Sequence, residues 1–178
     1  MFCEAGELGE RADVSWRILP VVYDEAALRL EEAIDELKPE VVIALGICDE
    51  PCYRIERVAN NLDDTEVPDN RAEVRRSLRI IEDGPDRYEA PYSHVELARR
   101  LEEKGLPWRF SDSAGGFLCN HVFYHLCRLA ASPRRAVHAA TFLHVPPLAE
   151  GDELGGLIEA IGCAVEAALA LDPPAPHA

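Results

Sequence analysis

Residues 113–121 read SAGGFLCNH. They place Cys119 just behind two glycines and at the front of an apolar run. Glycine lets a backbone turn sharply and approach closely. The unpaired amides of a helix's first turn stabilise a thiolate and can stabilise an oxyanion. On one reading Cys119 is therefore a nucleophile at a strand–turn–helix junction, mechanically like a nucleophile elbow although it lacks GxSxG. On the other it is a buried core cysteine of an apolar helix.

A nucleophilic thiol needs a base. His144 ends the apolar run FLHV and is followed by Pro146 and Pro147, and residues just past strand ends line the sites of α/β sheets. His121 and His125 fit less well, because position i+2 on a helix faces away from i and i+6 is also poorly placed. They share a face with each other, but there is no HExxH pattern and no nearby acid. An imidazole base gains from a carboxylate that fixes its tautomer. Glu56, in RIERVANN, has apolar neighbours Ile55 and Val58 that suggest partial burial, and a buried acid needs a partner. An ordinary ion pair with Arg54 or Arg57 accounts for the same pattern. A zinc reading would use Cys48, Cys52 and His121, but no second close pair follows the two cysteines.

The elements that must carry these residues are visible as periodicities. WRILPVVY (16–23) reads as a strand with a proline at an edge or bulge. DEAALRLEEAIDELK has helical spacing with acids at its front. VVIALGI (41–47) is the kind of apolar run that suits a strand covered on both faces. Segment 48–77 is polar and mixed, with a turn at Pro68 and Asn70. SLRII (77–81) suggests a short strand, and EDGPDRYEAP a loop. A helix is expected from Tyr92 to Lys104, stopping at Gly105, then a strand at WRFSD (108–112). A helix follows at 117–130, a strand at 138–145 and a last helix at roughly 152–171. Alternation of this kind predicts a layered α/β/α domain over residues 1–178, with largely right-handed parallel connections.

Thirty-three acidic residues face eighteen basic ones, a formal net charge of -15. That balance argues against nucleic acid or an anionic membrane as partner. No stretch approaches ~20 uncharged apolar residues. The acidic start MFCEAGELGERAD is unlike a signal peptide, so a cytoplasmic location is expected, with the six cysteines as free thiols.

Together these blocks resemble the pyroglutamyl peptidase I, or pyrrolidone-carboxylate peptidase, family of cysteine peptidases, from about Ile18 to Leu171. SAGGFLCNHVFYHL is similar to the family's SAGxYxCNxxxY block, with Cys119 as nucleophile and Tyr124 at the expected place. FLHVP (142–146) resembles FIHVP, with His144 as base. RIERVANN resembles the block of the catalytic glutamate, here Glu56, and VPDN (67–70) resembles IPDN. The resemblance implies an α/β/α sandwich around a twisted mixed sheet, with no metal or organic cofactor. It also implies a small peptide or amide substrate, a cytosolic location and a homo-oligomer.

Two departures stand out. MFCEAGELGERAD carries no VTGFEPFG-like block, whose phenylalanines help form the family's ring pocket. Glu66 stands where the family has an arginine, and Glu50 where a basic residue is common. Each predicts a weaker family reaction. The alternative is a divergent homologue with weak or no peptidase activity, acting on another small amide or as a binding or structural protein. The expected geometry puts the Cys119 sulfur within hydrogen-bond reach of His144, with a thiol pKa lowered by the histidine and the helix amides.

Overall fold

The computed structural model describes residues 12–147 and 154–171. Helix α1 (Tyr23–Leu37) forms where Tyr23, Ala26, Leu30 and Ile34 recur at helical spacing and are buried, with Asp24 and Glu25 in the first turn. It stops at Lys38, whose left-handed backbone returns its amide to Ile34 O. Then come β1 (Val41–Ile47), β2 (Tyr53–Glu56), β3 (Val58–Asn60), β4 (Arg87–Glu89), α2 (His94–Glu103), β5 (Trp108–Ser111), α3 (Leu118–Ala130), β6 (Ala139–Val145) and α4 (Gly155–Leu169).

Four strands form one sheet in the order β1-β6-β2-β5. β1 runs parallel to β6 and β2 parallel to β5, while β2 and β6 are antiparallel. β3 and β4 make a separate antiparallel pair. Strand side chains alternate between faces, so Tyr53, Ile55, Leu143 and Val145 pack on one side against Leu97 and Leu101 of α2 and Ala160, Ala164 and Ala167 of α4. On the other side α1 and α3 pack through Leu30, Ile34, Val122, Leu126 and Leu129. The result is a three-layer α/β/α sandwich around a mixed sheet. Leu97, Leu101, Leu126 and Leu143 are fully buried, and cutting one back to alanine costs about 2–5 kcal/mol.

Several sequence expectations are corrected. WRILPVVY forms no strand: residues 12–20 are irregular, Val21 and Val22 lie in a bend and Tyr23 opens α1. A strand requires a hydrogen-bonding partner strand, and among the described residues this segment pairs with none; its end is held, with Val21 O accepting from Asn70 N, and Trp16 and Ile18 are 76% and 84% exposed. Among the described residues β1 is an edge strand rather than one covered on both faces, with Leu45 and Ile47 exposed. The polar segment after it hides β2 and β3, and EDGPDRYEAP contains β4. SLRII contributes only an isolated bridge between Leu78 and Asp63. The main sheet is mixed, as the family resemblance implies: two of its three pairings are parallel and β2–β6 is antiparallel. The start of the expected last helix lies outside the described residues.

Candidate active site

His144 is positioned by β6, all of whose residues are buried. Alternation turns Phe142 and His144 toward α3, and their rings lie 4.9 Å apart. In the antiparallel register Arg54 faces His144 and Glu56 faces Phe142, so both polar residues of β2 share that face. In the parallel register of β1, Gly46 faces His144. A methyl group at Gly46 would stand 2.9 Å from Cys119 Sγ and 2.9 Å from Phe142 Cζ. The sulfur therefore rests on β1 directly beside the strand that carries His144, and adjacent strands are about 4.7–4.9 Å apart.

The turn before Cys119 explains both glycines. Gly115 has φ +87°, in the left-handed region. Gly116 accepts a backbone hydrogen bond from Asp64, and a methyl group there would lie 2.1 Å from Asp64 O. After this turn α3 begins at Leu118 with no side-chain cap, which leaves first-turn amides around half-buried Cys119. The rest of the block is structural. Buried Asn120 clamps the end of β3, accepting from Asn60 N at 3.0 Å and donating to Asn60 O and Leu62 O at 2.8 and 2.9 Å. Tyr124 donates to Pro85 O at 2.8 Å. Asp69 of VPDN accepts from the amides of Arg71, Glu73 and, at the start of α1, Tyr23.

Glu56 is fully buried and its Oε1 lies 2.7 Å from His144 Nδ1. That pairing leaves Nε2 as the ring's other proton-exchanging atom. The same oxygen accepts from Arg54 Nε at 3.0 Å and Nη2 at 2.8 Å. Of the two ion pairs open at the sequence level, Arg54 takes Glu56, whereas Arg57 pairs with Asp112. Cys119 and His144 make no hydrogen bond among the described residues. Burial pushes the Cys119 thiol up, and the charge of Glu56 adds to this, while Arg54 and the thiol's own amide pull it down. The lowered thiol pKa expected from helix position is thus not what the surroundings favour, because the sulfur is desolvated against the sheet and faces a buried acid.

The two anomalous acids are both paired. Glu50 is held by Arg109 at 2.5 and 2.7 Å and by Arg54 at 3.3 Å, and Arg109 first of all lowers its pKa to about 2. Glu66 is exposed and pairs with Arg76. Among the described residues no cluster of three His, Cys, Asp or Glu is arranged to hold a metal ion, and His121 pairs with Asp63 rather than facing Cys48 and Cys52. Of the residues singled out in the sequence, the structure brings Glu56 and His144 together and sets Cys119 against the neighbouring strand; Arg54, weighed there only as an ion-pair partner that would make Glu56 ordinary, holds Glu56 at the same time as His144 does. The available signal was the i, i+2 spacing of Arg54 and Glu56, which puts both on one face if the segment is a strand.

A family model described as pyroglutamyl peptidase matches residues 4–155, beginning upstream of Ile18 and ending before Leu171. Pyrrolidone-carboxylate peptidase of Bacillus cytotoxicus is 36% identical over 133 residues, covering 74% of this chain and 61% of that one. The Enterobacter sp. (strain 638) protein of the same name is 38% identical over 135 residues, covering 75% and 62%. The chain thus spans less than two thirds of the length of these relatives. Pyroglutamyl peptidase I from Bacillus amyloliquefaciens superposes with a TM-score of 0.81 at 26% identity, covering 86% of this chain and 77% of that one. Pyrrolidone carboxyl peptidase from Pyrococcus furiosus gives 0.82 at 29%, covering 86% and 80%. The model match, the identities and the shared sandwich agree: this chain belongs to the pyroglutamyl peptidase family of cysteine peptidases.

Proposed function

We propose that the chain is a thiol hydrolase that cleaves the amide bond after an N-terminal pyroglutamyl residue, with Cys119 as nucleophile, His144 as base and Glu56 orienting the imidazole. The observation that carries this is the buried Glu56–His144 pair at the end of β6, with the Cys119 sulfur against the facing Gly46 of β1. Cys119 Sγ attacks the scissile carbonyl as its proton passes to His144 Nε2. Amides of the first turn of α3 receive the oxyanion. The tetrahedral adduct collapses to a thioester as His144 protonates the departing amine, and water activated by the same imidazole releases the product acid. Because burial raises the thiol pKa, proton transfer accompanies attack instead of preceding it.

The test is release of a fluorophore from a pyroglutamyl amide. Slow release is expected, abolished in C119A and H144A. No release from the parent chain, or release that survives C119A, contradicts the proposal. The non-hydrolytic reading draws on the raised thiol and is separated by the same assay. A cytoplasmic location belongs to this proposal, supported by free Cys48, Cys52, Cys119, Cys127 and Cys163, and cell fractionation tests it. No helix among the described residues is long and apolar enough to cross a membrane.

A further inference from the structure

We propose that Arg54 is a positioning residue of this site: its guanidinium supplies the cation that buried Glu56 requires, aims that carboxylate at His144 and ties the turn preceding Cys119 to β2. The inference rests on the thiol-hydrolase reading only for the roles of Cys119 and His144.

A fully buried carboxylate is costly unless it is paired and hydrogen-bonded. His144 can provide that charge only as an imidazolium, and an imidazolium cannot act as a base. Arg54 removes the conflict. Its Nε and Nη2 donate to Glu56 Oε1 at 3.0 and 2.8 Å, the oxygen that also meets His144 Nδ1. The register places Arg54 directly across from His144, so its cation enters from the facing strand. Nη2 also donates to Ser113 O at 3.1 Å, at the head of the glycine turn. Nη1 reaches Glu50, which Arg109 holds from the other side. Alternating charges thus run from the buried carboxylate through Arg54 and Glu50 to Arg109. A planar fork spans several acceptors in a way that a lysine's point charge does not.

The ionisable groups around the pair come from each element nearby. β2 gives Arg54 and Glu56, α3 gives Cys119, the segment after β1 gives Cys48, Glu50 and Cys52, and β5 gives Arg109. Glu56 opposes ionisation of the Cys119 thiol and Arg54 favours it. Loss of Arg54 leaves Glu56 uncompensated, and the thiol becomes harder to ionise.

The experiment is the pH dependence of iodoacetamide alkylation at Cys119, read site by site by mass spectrometry, with C119A as baseline. A proton spectrum follows the low-field Nδ1–H signal of His144, assigned by its loss in H144A. In R54M the alkylation midpoint should rise by about 1 pH unit, and the low-field signal should broaden or vanish. R54Q carries the same expectation if R54M does not fold. R54K should restore most of the midpoint but not the sharp signal, since it keeps the charge and loses the fork. In R54M combined with E56Q the midpoint should fall back toward the parent's, because the charge that Arg54 offsets is gone. A parent-like midpoint together with an intact signal in R54M or R54Q overturns the proposal. Neither readout needs turnover, so failure of the peptidase reading would appear separately, as absent release from a parent chain whose Arg54 variants still shift.

Discussion

Among the described residues, two buried histidines each lean on a fully buried carboxylate that an arginine also holds. In one, Glu56 Oε1 lies 2.7 Å from His144 Nδ1 with Arg54 on the same oxygen. In the other, Asp63 Oδ2 lies 2.8 Å from His121 Nδ1 with Arg75 at 3.3 Å. The near side of the two rings is the same, and the far side differs. His144 sits at the end of β6 beside half-buried Cys119. His121 points a buried Nε2 at no hydrogen-bond partner among the described residues, with the Tyr23 and His125 rings 5.3 and 4.8 Å away. Arg75 continues to Asp24 of α1 and lies 4.3 Å over the Tyr23 ring. The second cluster therefore fastens the 63–75 segment to α1 and α3. A histidine–carboxylate pair becomes a base only where a nucleophile stands at the far nitrogen; otherwise it is a rivet.

The largest effects should fall on opposite readouts in the two clusters. Removing the imidazole in H144A should cost the amide-cleaving activity about 10²–10⁴-fold and leave a folded protein. At the second cluster, D63A leaves buried His121 without its carboxylate, while Arg75 keeps Asp24 and Glu73, and should cost about 1–3 kcal/mol in denaturant unfolding. H121Q should be milder in stability and should leave the Cys119 alkylation rate of the folded fraction unchanged. A tenfold loss of alkylation in folded H121Q would break the distinction between the two clusters.

A smaller effect sharpens the first cluster's geometry. G46A places a methyl group 2.9 Å from both Cys119 Sγ and Phe142 Cζ, so both contacts must be relieved. Activity should fall more than thermal stability does, because displacing a reacting atom by about 1 Å can cost 10²-fold in rate. Unchanged kcat/KM in G46A would show that the sulfur does not work from this position.

Least in size is a pH effect on stability from His125, beside the second cluster, and from His94 at the start of α2. Burial lowers the pKa of His125 to about 4, with His121 contributing next, and burial lowers His94 to about 4 as well. The unfolded chain binds these protons near pH 6.5, whereas the folded chain resists until about pH 4. Their contribution is therefore complete above about pH 6.5 and is lost as pH falls toward 4. H125Q should flatten part of that decline, by about 2–4 °C in Tm for a chain of this size. A pH profile of Tm identical in H125Q would contradict the assignment.

What could be read in advance follows a physical line. α1, α2 and α3, with β1, β5 and β6, carry apolar periodicity because their packing faces are apolar. β2 escaped because the positions it turns toward α3 are Arg54 and Glu56, charged residues where a core strand would be apolar, so the strand looks like a polar loop. WRILPVVY misled in the other direction, since apolar alternation makes a strand only where another strand offers hydrogen bonds. Cys119 and His144 were legible from their places beside a glycine turn and at a strand end. The His121–Asp63 pair was not, because its partners lie 58 residues apart and the contact exists only once α3 has docked on the Asp63 segment.

The most direct test of the two-cluster account is mass spectrometry of the protein mixed rapidly with a pyroglutamyl amide and quenched in acid. The account predicts a pyroglutamyl thioester on Cys119, formed in the parent chain and in H121Q but absent from C119A and H144A. An adduct on any other residue, equal labelling in H144A, or no adduct while amine is being released, would contradict it.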